Sequence, residues 1–277
     1  MWEEPCISGA SGSGAVFFSG CPMHCVFCQN GQIANGTVGK EVTQERLVQI
    51  FLELQEKNAN NINLVTPDHY VPLLIPAIEQ AKRQGLSIPI VYNTSSYVNI
   101  DTLKALEGLV DIYLPDFKYY WSETAKRYAN APEYPRVAKE AIAEMVRQTG
   151  SPIFYEKSTG RQMMAETFNE AEGFGEILMK KGTIVRHLLL PGQQKESREI
   201  LKYLIQNYGT DIYISILNQY TPIKVLEDYP ELNRTITEAE YEEMIDFAIA
   251  AGIENGFIQE GDTAKESFIP AFNYEGI

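Results

Sequence analysis

Short apolar runs alternate with stretches of helical periodicity along most of this chain. The runs are rich in Val, Ile, Tyr and Leu, which favour strands, and the stretches between them place apolar residues on one helical face. The predicted strands are 15–19, 61–65, 88–92, 110–114, 184–190 and 212–217. The predicted helices are 43–57, 72–84, 197–207 and 237–251, the last with a capping box of Thr237 and Glu240.

This alternation predicts six βα units, and therefore an α/β fold with a parallel sheet and right-handed crossovers. The strands are continuously apolar, so helices should cover the sheet. A closed eight-stranded barrel would need two more units. We expect a single domain over residues 1–277, with a core from about 8 to 260 and an insertion at 156–175. The insertion is polar, which favours a surface excursion over a substrate lid.

Three of the four cysteines, Cys21, Cys25 and Cys28, lie in one short loop directly after the first predicted strand. Soft thiolates select zinc, copper(I) or iron–sulfur clusters. Structural zinc takes four ligands, usually from two separated pairs, and this sequence has no second pair. A [4Fe–4S] cluster on three cysteines leaves one iron open to a substrate or cofactor. The spacing therefore favours a cluster over a zinc site or unliganded thiols. Cys6 is expected to be an ordinary thiol, and the alternative is a fourth ligand, which would close the open iron.

The C-x3-C-x2-C loop, with Phe27 as the aromatic residue before the last cysteine, resembles the signature of radical S-adenosylmethionine (SAM) enzymes. The resemblance implies a [4Fe–4S] cluster that binds SAM, with Phe27 beside the cofactor. It implies reductive cleavage of SAM to a 5′-deoxyadenosyl radical that abstracts hydrogen. It also implies an open, partial (β/α)6 barrel of TIM type, chemistry at the C-terminal strand ends, and an electron donor such as flavodoxin or ferredoxin.

Polar residues follow the second predicted strand in the segment Val-Thr-Pro-Asp-His-Tyr. Many radical SAM proteins carry a Gly-Gly-Glu-like segment here that receives the amino group of SAM, and Thr66 and Asp68 correspond to it in place. The alternative is that one of them caps the next helix. His69 by itself is favoured as a structural residue.

The third and fourth predicted strands also end in polar residues, Asn93 with Thr94 and Asp116 with Lys118. The Asp-x-Lys pattern resembles activases of glycyl-radical enzymes, in which these residues help to hold SAM and a monovalent cation bridges its carboxylate. The lysine supplies charge for that carboxylate, and a solvated ion pair is the alternative. Activases usually show Asp-Thr-Asn-Gly where this chain has Asn-Thr-Ser-Ser. The proposed cation site thus loses one negative charge but retains oxygen ligands.

Arg186 lies within the apolar run of the fifth predicted strand, and a barrel interior tolerates such a charge only with a partner. The segment resembles the activase segment whose arginine reaches SAM, and a structural ion pair is the alternative. His187 should point the opposite way and is expected to be a satisfied structural histidine. After the sixth strand, Asn218 and Gln219 are candidates to face SAM or substrate, with turn capping as the alternative.

Composition narrows the choice of partners. The 23 Lys and Arg residues against 37 Asp and Glu give a formal charge of −14, which would repel a phosphate backbone, so nucleic acid is not expected as a substrate. The sequence has no N-terminal signal and no apolar run of roughly 18 residues. We therefore expect a cytoplasmic protein without membrane contact, in a reducing compartment that keeps the thiols available for metal.

From Ser8 to Pro270 the chain is similar to a branch of pyruvate formate-lyase activating enzyme homologues. The shared segments are Gly-Cys-x3-Cys-x2-Cys-Gln-Asn, Val-Thr-Pro-x-His-Tyr-Val-Pro, Arg-His-Leu-x-Leu-Pro-Gly and Asn-Gln-Tyr. This implies a radical SAM oxidoreductase that abstracts hydrogen from an acceptor, with a glycyl-radical protein as one candidate. The alternatives are modification of a peptide or small metabolite, and a non-catalytic metal-binding module.

Overall fold

A nine-stranded sheet runs through the part of the chain that this computed structural model describes, residues 4–164, 177–258, 274 and 276. The strands are β1 (Gly14–Phe17), β2 (Ile62–Val65), β3 (Ile90–Thr94), β4 (Ile112–Pro115), β5 (Ile153–Glu156), β6 (Gln162–Met164), β7 (Ile177–Leu188), β8 (Tyr213–Leu217) and β9 (Gly256–Ile258). The helices are α1 (Pro5–Ser8), α2 (Gly31–Ala34), α3 (Gln44–Glu56), α4 (Val71–Arg83), α5 (Ile100–Lys104), α6 (Ser122–Ala129), α7 (Tyr134–Thr149), α8 (Gln194–Tyr208) and α9 (Glu238–Ala250).

Seven strands form a parallel sheet in the order β1-β2-β3-β4-β7-β8-β9. β1 and β9 are its two edges and do not pair with each other, so the barrel is open over the residues described. Crossover helices follow six of the strands: α3 after β1, α4 after β2, α5 after β3, α6 and α7 after β4, α8 after β7, and α9 after β8. The predicted partial (β/α)6 barrel is confirmed, and the short strand β9 extends it.

The fifth parallel strand begins earlier than the sequence predicts, at Ile177 instead of 184. The first half of β7 pairs antiparallel with β5, and the second half pairs parallel with β4 and β8. Lys180, Lys181 and Gly182 interrupt the apolar pattern, which hides the first half of the strand. A Cβ at Gly182 would lie 3.1 Å from the Met179 sulfur, so the chain packs closely at this changeover.

The antiparallel strands β5 and β6 were not expected from the sequence. They pair with each other over Ile153–Tyr155 and Gln162–Met164, so the first part of the predicted insertion at 156–175 forms a hairpin attached to the sheet. Residues 165–175 lie outside the described part of the chain. Whether this segment is a surface excursion or a lid stays a prediction.

Four helices, α3, α4, α8 and α9, lie where the sequence predicts them, with ends that differ by at most three residues. The capping box is present: Thr237 Oγ1 accepts from Glu240 N, and the Glu240 carboxylate accepts from Thr237 N. α5, α6 and α7 are absent from the sequence prediction. α7 buries Tyr134, Ala138 and Ile142 and connects the helical layers over both halves of the sheet. None of the described helices is both long and apolar enough to cross a membrane.

Alternate residues of the parallel strands face two different environments. In β7, Val185 packs in the helical layer, whereas Ile184 packs with residues of β3, β4 and β8 inside the barrel. Arg186 shares the inward side with Ile184 because side chains two apart along a strand share a face. The same alternation directs His187 outward, where it is 2% exposed beneath α8.

The N-terminal helix α1 covers the amino ends of the strands. Asn60 and Asn61 donate their side-chain amides to the carbonyl oxygens of Ser8 (2.5 Å) and Ile7 (2.9 Å), which anchors α1 beside the start of β2. Cys6 is fully buried in the inner apolar cluster with the first residues of β4 and β8. It therefore lies at the end of the barrel opposite to the loop that follows β1.

Candidate functional site

The carboxyl ends of the parallel strands carry almost every residue that the sequence singles out. Parallel strands end at the same edge of a sheet, so side chains that follow them meet there. The residues at this edge are Cys21, Cys25, Cys28 and Phe27 after β1, Thr66 and Asp68 after β2, Asn93 and Thr94 in β3, Asp116 and Lys118 after β4, Arg186 in β7, and Asn218 and Gln219 after β8.

The backbone just ahead of Cys21 is clamped by the loop that follows β2. His69 Nε2 and the Tyr70 hydroxyl both contact the Ser19 carbonyl oxygen, each at 3.0 Å. Gly20 has φ of 93°, and a Cβ there would lie 2.9 Å from His69 Nε2. Only glycine fits both the conformation and the space. His69 thus acts on the cysteine loop through packing and a hydrogen bond to the backbone.

The rest of the cysteine loop is anchored on its other side. Val26 N donates to the carbonyl oxygen of Tyr128 in α6 at 2.9 Å. The Phe27 ring packs edge-on against Tyr128 and Tyr220, with centroid distances of 6.4 Å and 5.8 Å. Gln29 Nε2 donates to the Gln219 carbonyl oxygen at 3.2 Å, which brings the end of β8 beside the loop.

Burial makes the three thiols poor acids. It raises the pKa of Cys21 to about 12 and also raises the pKa values of Cys25 and Cys28, while the positive charge of Lys118 opposes the shift at all three. Metal binding must displace a proton from each thiol. Lys118 therefore lies where it stabilises the ligating thiolates together.

The thiol arrangement fits a cluster. Among the described residues, no three His, Cys, Asp or Glu side chains form a group that could hold a single metal ion. Cysteines on a cubic cluster each bind a different iron, so they need not converge on one point. The donor set of three soft thiolates on one loop therefore suits a [4Fe–4S] cluster.

Asp116 joins two cations beside this loop. Its Oδ2 accepts from Lys118 Nζ at 2.6 Å, and its Oδ1 accepts from Arg186 Nε at 2.9 Å. Arg186 also donates to Asn93 Oδ1 at 2.6 Å. Although burial opposes the shift, the charges of Arg186 and Lys118 lower the pKa of Asp116 below its ordinary value. One carboxylate is thus shared between two cations.

Backbone hydrogen bonds hold the segment that carries Asp116 and Lys118. Ser96 Oγ donates to the Asp116 carbonyl oxygen at 2.7 Å. The Tyr134 hydroxyl accepts from Lys118 N at 2.8 Å and lies 3.0 Å from the Ser95 carbonyl oxygen. The end of β4 is therefore attached to both β3 and α7.

His187 and Glu196 hold the same segment from the helical layer. His187 Nδ1 contacts the Phe117 carbonyl oxygen and Nε2 contacts Ser197 Oγ, both at 2.8 Å. Burial lowers the pKa of His187 to about 4, so the ring is neutral. Glu196 accepts from the backbone N–H groups of Tyr120 and Trp121. His187 is thus a satisfied buried histidine facing away from Arg186, as the strand alternation predicts.

Asp68 is buried at the end of β2 and does not cap α4. Its Oδ1 accepts from the Tyr92 hydroxyl at 3.0 Å and from Thr94 Oγ1 at 2.6 Å. Among the described residues, its Oδ2 has no hydrogen-bond partner although it is inaccessible to solvent. Burial raises the pKa of Asp68 to about 6. Such an orphaned buried oxygen fits a ligand that brings its own donor.

Thr66 has φ of 56°, in the left-handed region that β-branched residues rarely adopt. Its N–H donates to the Asn93 carbonyl oxygen at 2.8 Å, so β3 holds the strained turn in place. Strain of this kind persists where the surroundings over-determine the backbone, and it clusters at binding sites.

Several residues at this edge carry no signal in the sequence. Tyr92 and Tyr134 look like ordinary strand and helix residues, yet they bind Asp68 and the β4 segment. Tyr119 contacts Cys25 Sγ through its hydroxyl at 3.6 Å, across 94 residues of chain. The sequence shows that aromatic residues follow the Asp-x-Lys pattern, but it does not show which way their side chains point.

The fold and the site define a class of protein: an open (β/α) barrel with three thiols and a carboxylate–cation group at the carboxyl ends of its strands. A profile of the radical SAM superfamily matches residues 15–204. The chain therefore belongs to the radical SAM superfamily. Its members use a [4Fe–4S] cluster and SAM, and these are the cofactors of this chain.

One sequence relative and two solved structures illustrate the similarity. An uncharacterized protein of Methanocaldococcus jannaschii is 24% identical over 243 residues, which cover 85% of this chain and 62% of that relative. Streptococcus suis SuiB bound to precursor peptide SuiA has a TM-score of 0.53 at 14% identity, covering 89% of this chain and 48% of SuiB. HydG, a maturase of the [FeFe]-hydrogenase, has a TM-score of 0.54 at 14% identity, covering 88% of this chain and 50% of HydG. The likeness to the two solved structures concerns the fold alone.

Proposed function

We propose that Cys21, Cys25 and Cys28 hold the [4Fe–4S] cluster and that SAM lies across the neighbouring strand ends. The observation that carries the proposal is the position of the thiol loop at the strand edge that bears Lys118. The hydroxyl of the next residue, Tyr119, lies 3.6 Å from Cys25 Sγ, and the charge of Lys118 opposes the rise in pKa at all three thiols. Cys6, buried at the opposite end of the barrel, takes no part in this site.

The charges at the edge suit the two ends of the methionyl part of SAM. The guanidinium of Arg186 and the ammonium of Lys118 are the donor types that bind a carboxylate, and both lie on Asp116 at this edge. The orphaned Asp68 Oδ2 suits the ammonium group. Thr66, Asn93, Thr94 and Phe27 complete the proposed binding edge, with Thr94 acting through its hydrogen bond to Asp68.

A monovalent cation is a further element of the proposal. Its expected oxygen ligands, Asp116 Oδ1 and Asn93 Oδ1, both accept from Arg186 in this structure. The guanidinium thus supplies positive charge where the cation was expected. A cation would bind there only after Arg186 had moved.

We propose that the protein is an oxidoreductase similar to pyruvate formate-lyase activating enzyme, on the resemblance of Asp116 and Lys118 to the activase pattern. Bound together, the cluster and SAM supply reductive cleavage of SAM and hydrogen abstraction. Asn218 and Gln219, next to the cysteine loop, are the candidates to face the acceptor. The electron donor would be a cytoplasmic flavodoxin or ferredoxin. The acceptor would be a protein or peptide, with a small metabolite as the second candidate.

The decisive test is anaerobic reconstitution with iron and sulfide, followed by dithionite and SAM. We expect about four irons per chain and formation of 5′-deoxyadenosine. Cys21→Ala, Cys25→Ala and Cys28→Ala should each lose the cluster and the product. Cys6→Ala is the matched control and should retain both. Iron loss from Cys6→Ala equal to that from the other variants would refute the ligand assignment.

A further inference from the structure

The hydroxyl of Tyr119 points at one of the three thiols. Its oxygen lies 3.6 Å from Cys25 Sγ, and the tyrosine is fully buried. Among the residues that the structure describes, this sulfur is the single hydrogen-bond partner of the hydroxyl. A buried phenol normally finds a partner for its proton, so the sulfur contact is the one that satisfies it.

The surroundings fix this contact from both sides. The backbone on either side of Tyr119 is held, with Lys118 N bound to Tyr134 and Tyr120 N bound to Glu196. The Tyr119 ring packs edge-on against Tyr134, with a centroid distance of 5.4 Å and an interplanar angle of 75°. The Val26 N–H next to Cys25 is bound to α6 at 2.9 Å. These backbone hydrogen bonds and the ring packing hold the two residues in position next to each other.

The direction of the hydrogen bond follows from the chemistry. A metal-bound thiolate has no proton and only accepts, whereas a phenol carries a proton at neutral pH because its ordinary pKa is about 10. Tyr119 therefore donates to Cys25. A donor to a ligating sulfur withdraws negative charge from the cluster, and hydrogen bonds to the sulfurs are among the factors that set cluster potentials.

We propose that Tyr119 raises the reduction potential of the cluster through its hydrogen bond to Cys25, an inference that rests on the proposed function. Tyr119 favours the state that holds one added electron, which an external reduced flavin or iron–sulfur donor supplies. No bond forms or breaks at the tyrosine, and its proton stays on the phenol oxygen. Tyr119 is thus a positioning and tuning residue, and it does not touch SAM or the acceptor in this role.

The test is a potentiometric titration of the reconstituted Tyr119→Phe protein, followed by electron paramagnetic resonance of the reduced cluster. Phenylalanine keeps the ring and removes the donor. At the midpoint potential of the wild type, the ratio of reduced to oxidised cluster should fall roughly three- to tenfold. A tenfold fall corresponds to about 59 mV for one electron. Iron content should remain that of the wild type.

Tyr128→Phe is the matched control, because Tyr128 belongs to the same aromatic cluster but donates its hydroxyl to Glu231 at 2.7 Å. It should titrate like the wild type. Coincident curves for Tyr119→Phe and wild type, or equal shifts in both variants, would overturn the proposal. If Tyr119→Phe lost the cluster, a protein with 3-fluorotyrosine at position 119 would test the hydrogen bond instead. As a stronger donor it must shift the ratio in the opposite direction, and an unchanged ratio would count against the hydrogen bond.

Failure of this inference can be told apart from failure of the proposed function. A wild-type protein without a redox-active cluster would refute the ligand assignment of Cys21, Cys25 and Cys28. A wild-type protein with the cluster but an unshifted Tyr119→Phe variant would refute only the role of Tyr119.

Discussion

Asp116 is the residue on which the proposed SAM carboxylate site depends. Each of its oxygens is bound to a different cation, so loss of one cation leaves the other paired. The side chains of Asp116 and Lys118 are about one-fifth exposed, at 22% and 21%, and Arg186 is 14% exposed. Partly buried charges of this kind interact more strongly with a bound anion than fully exposed charges do.

Lys118→Met should weaken SAM binding by about 1–3 kcal/mol, since it removes one charge-assisted hydrogen bond to the carboxylate. Arg186→Gln should weaken it by a similar amount, and both variants should keep the cluster. Equilibrium dialysis under anaerobic conditions measures the affinity. Lys202→Met, an exposed change on α8, is the control. Wild-type affinity in both site variants would remove these residues from the SAM site.

The affinity for SAM measured in the same assay should depend on pH because of Asp68. Burial raises the pKa of Asp68 to about 6, so the group is neutral below that pH and ionised above it. Only the ionised form attracts the SAM ammonium group. Affinity should therefore rise between pH 5 and pH 7 and then level off. Asp68→Asn should abolish the rise, whereas the exposed change Asp246→Asn should leave it intact. If the affinity of Asp68→Asn for SAM still rose with pH, a group other than Asp68 would be responsible for the pH dependence.

At the scale of elements, one buried carboxylate joins α8 to the start of α6. Glu196 is 2% exposed and accepts from Tyr120 N, from Trp121 N at 3.0 Å and from Thr124 Oγ1 at 3.1 Å. These groups belong to the N-terminal end of α6, where backbone donors lack helical partners. The segment that carries Lys118 and Tyr119 therefore keeps its position through α8.

Glu196→Ala should lower the free energy of unfolding by about 2–4 kcal/mol, because it leaves buried N–H donors unpaired at about 1–3 kcal/mol each. Denaturant unfolding of both proteins in the same metal-loaded state measures the change. Glu199→Ala, which removes a carboxylate from the same helix, should change stability by only about 0.5 kcal/mol. Equal losses in the two variants would show that the Glu196 hydrogen bonds do not stabilise the junction.

At the scale of the whole molecule, the parallel sheet is open. Over the described residues, its two edge strands, β1 and β9, do not pair with each other. Such an opening suits an acceptor too large for a closed barrel. The net charge of −14 disfavours RNA. A protein or peptide acceptor is therefore the stronger proposal for this chain.

Mixing reduced enzyme, SAM and the acceptor protein without oxygen should give a carbon-centred radical on that partner, with one 5′-deoxyadenosine per radical. The acceptor would first be isolated on the immobilised wild-type protein from anaerobically grown cells, with Cys25→Ala as the control for cluster-dependent binding. Electron paramagnetic resonance identifies the radical. Recovery of tRNA that stimulates deoxyadenosine formation would contradict the proposal of a protein or peptide acceptor. It would show that the surface around the site is less acidic than the net charge of the chain indicates.

Much of this architecture is readable from local patterns. The alternation of apolar runs and helical periods predicts a parallel sheet, and parallel strands must present their carboxyl ends at one edge. Cysteine spacing alone places three thiols in one loop. Asp68, Asp116 and Arg186 could thus be placed at the same edge of the sheet although they are far apart in the chain. The missed strand start at Ile177 shows the limit of this reasoning, since two lysines and a glycine mask a strand that changes partners.

Tertiary structure decided which of these side chains meet. The contact of Tyr119 with Cys25, the partners of Asp68 and the anchoring by Glu196 depend on strand register and on how α6 and α8 pack. Periodicity is a property of neighbouring residues, whereas register is a property of two strands or helices together. The sequence by itself therefore determined six of the parallel strands, the thiol loop and the edge that bears the candidate site. The directions of the buried hydroxyls and carboxylates, and with them the environment of each thiol, follow only from the packed fold.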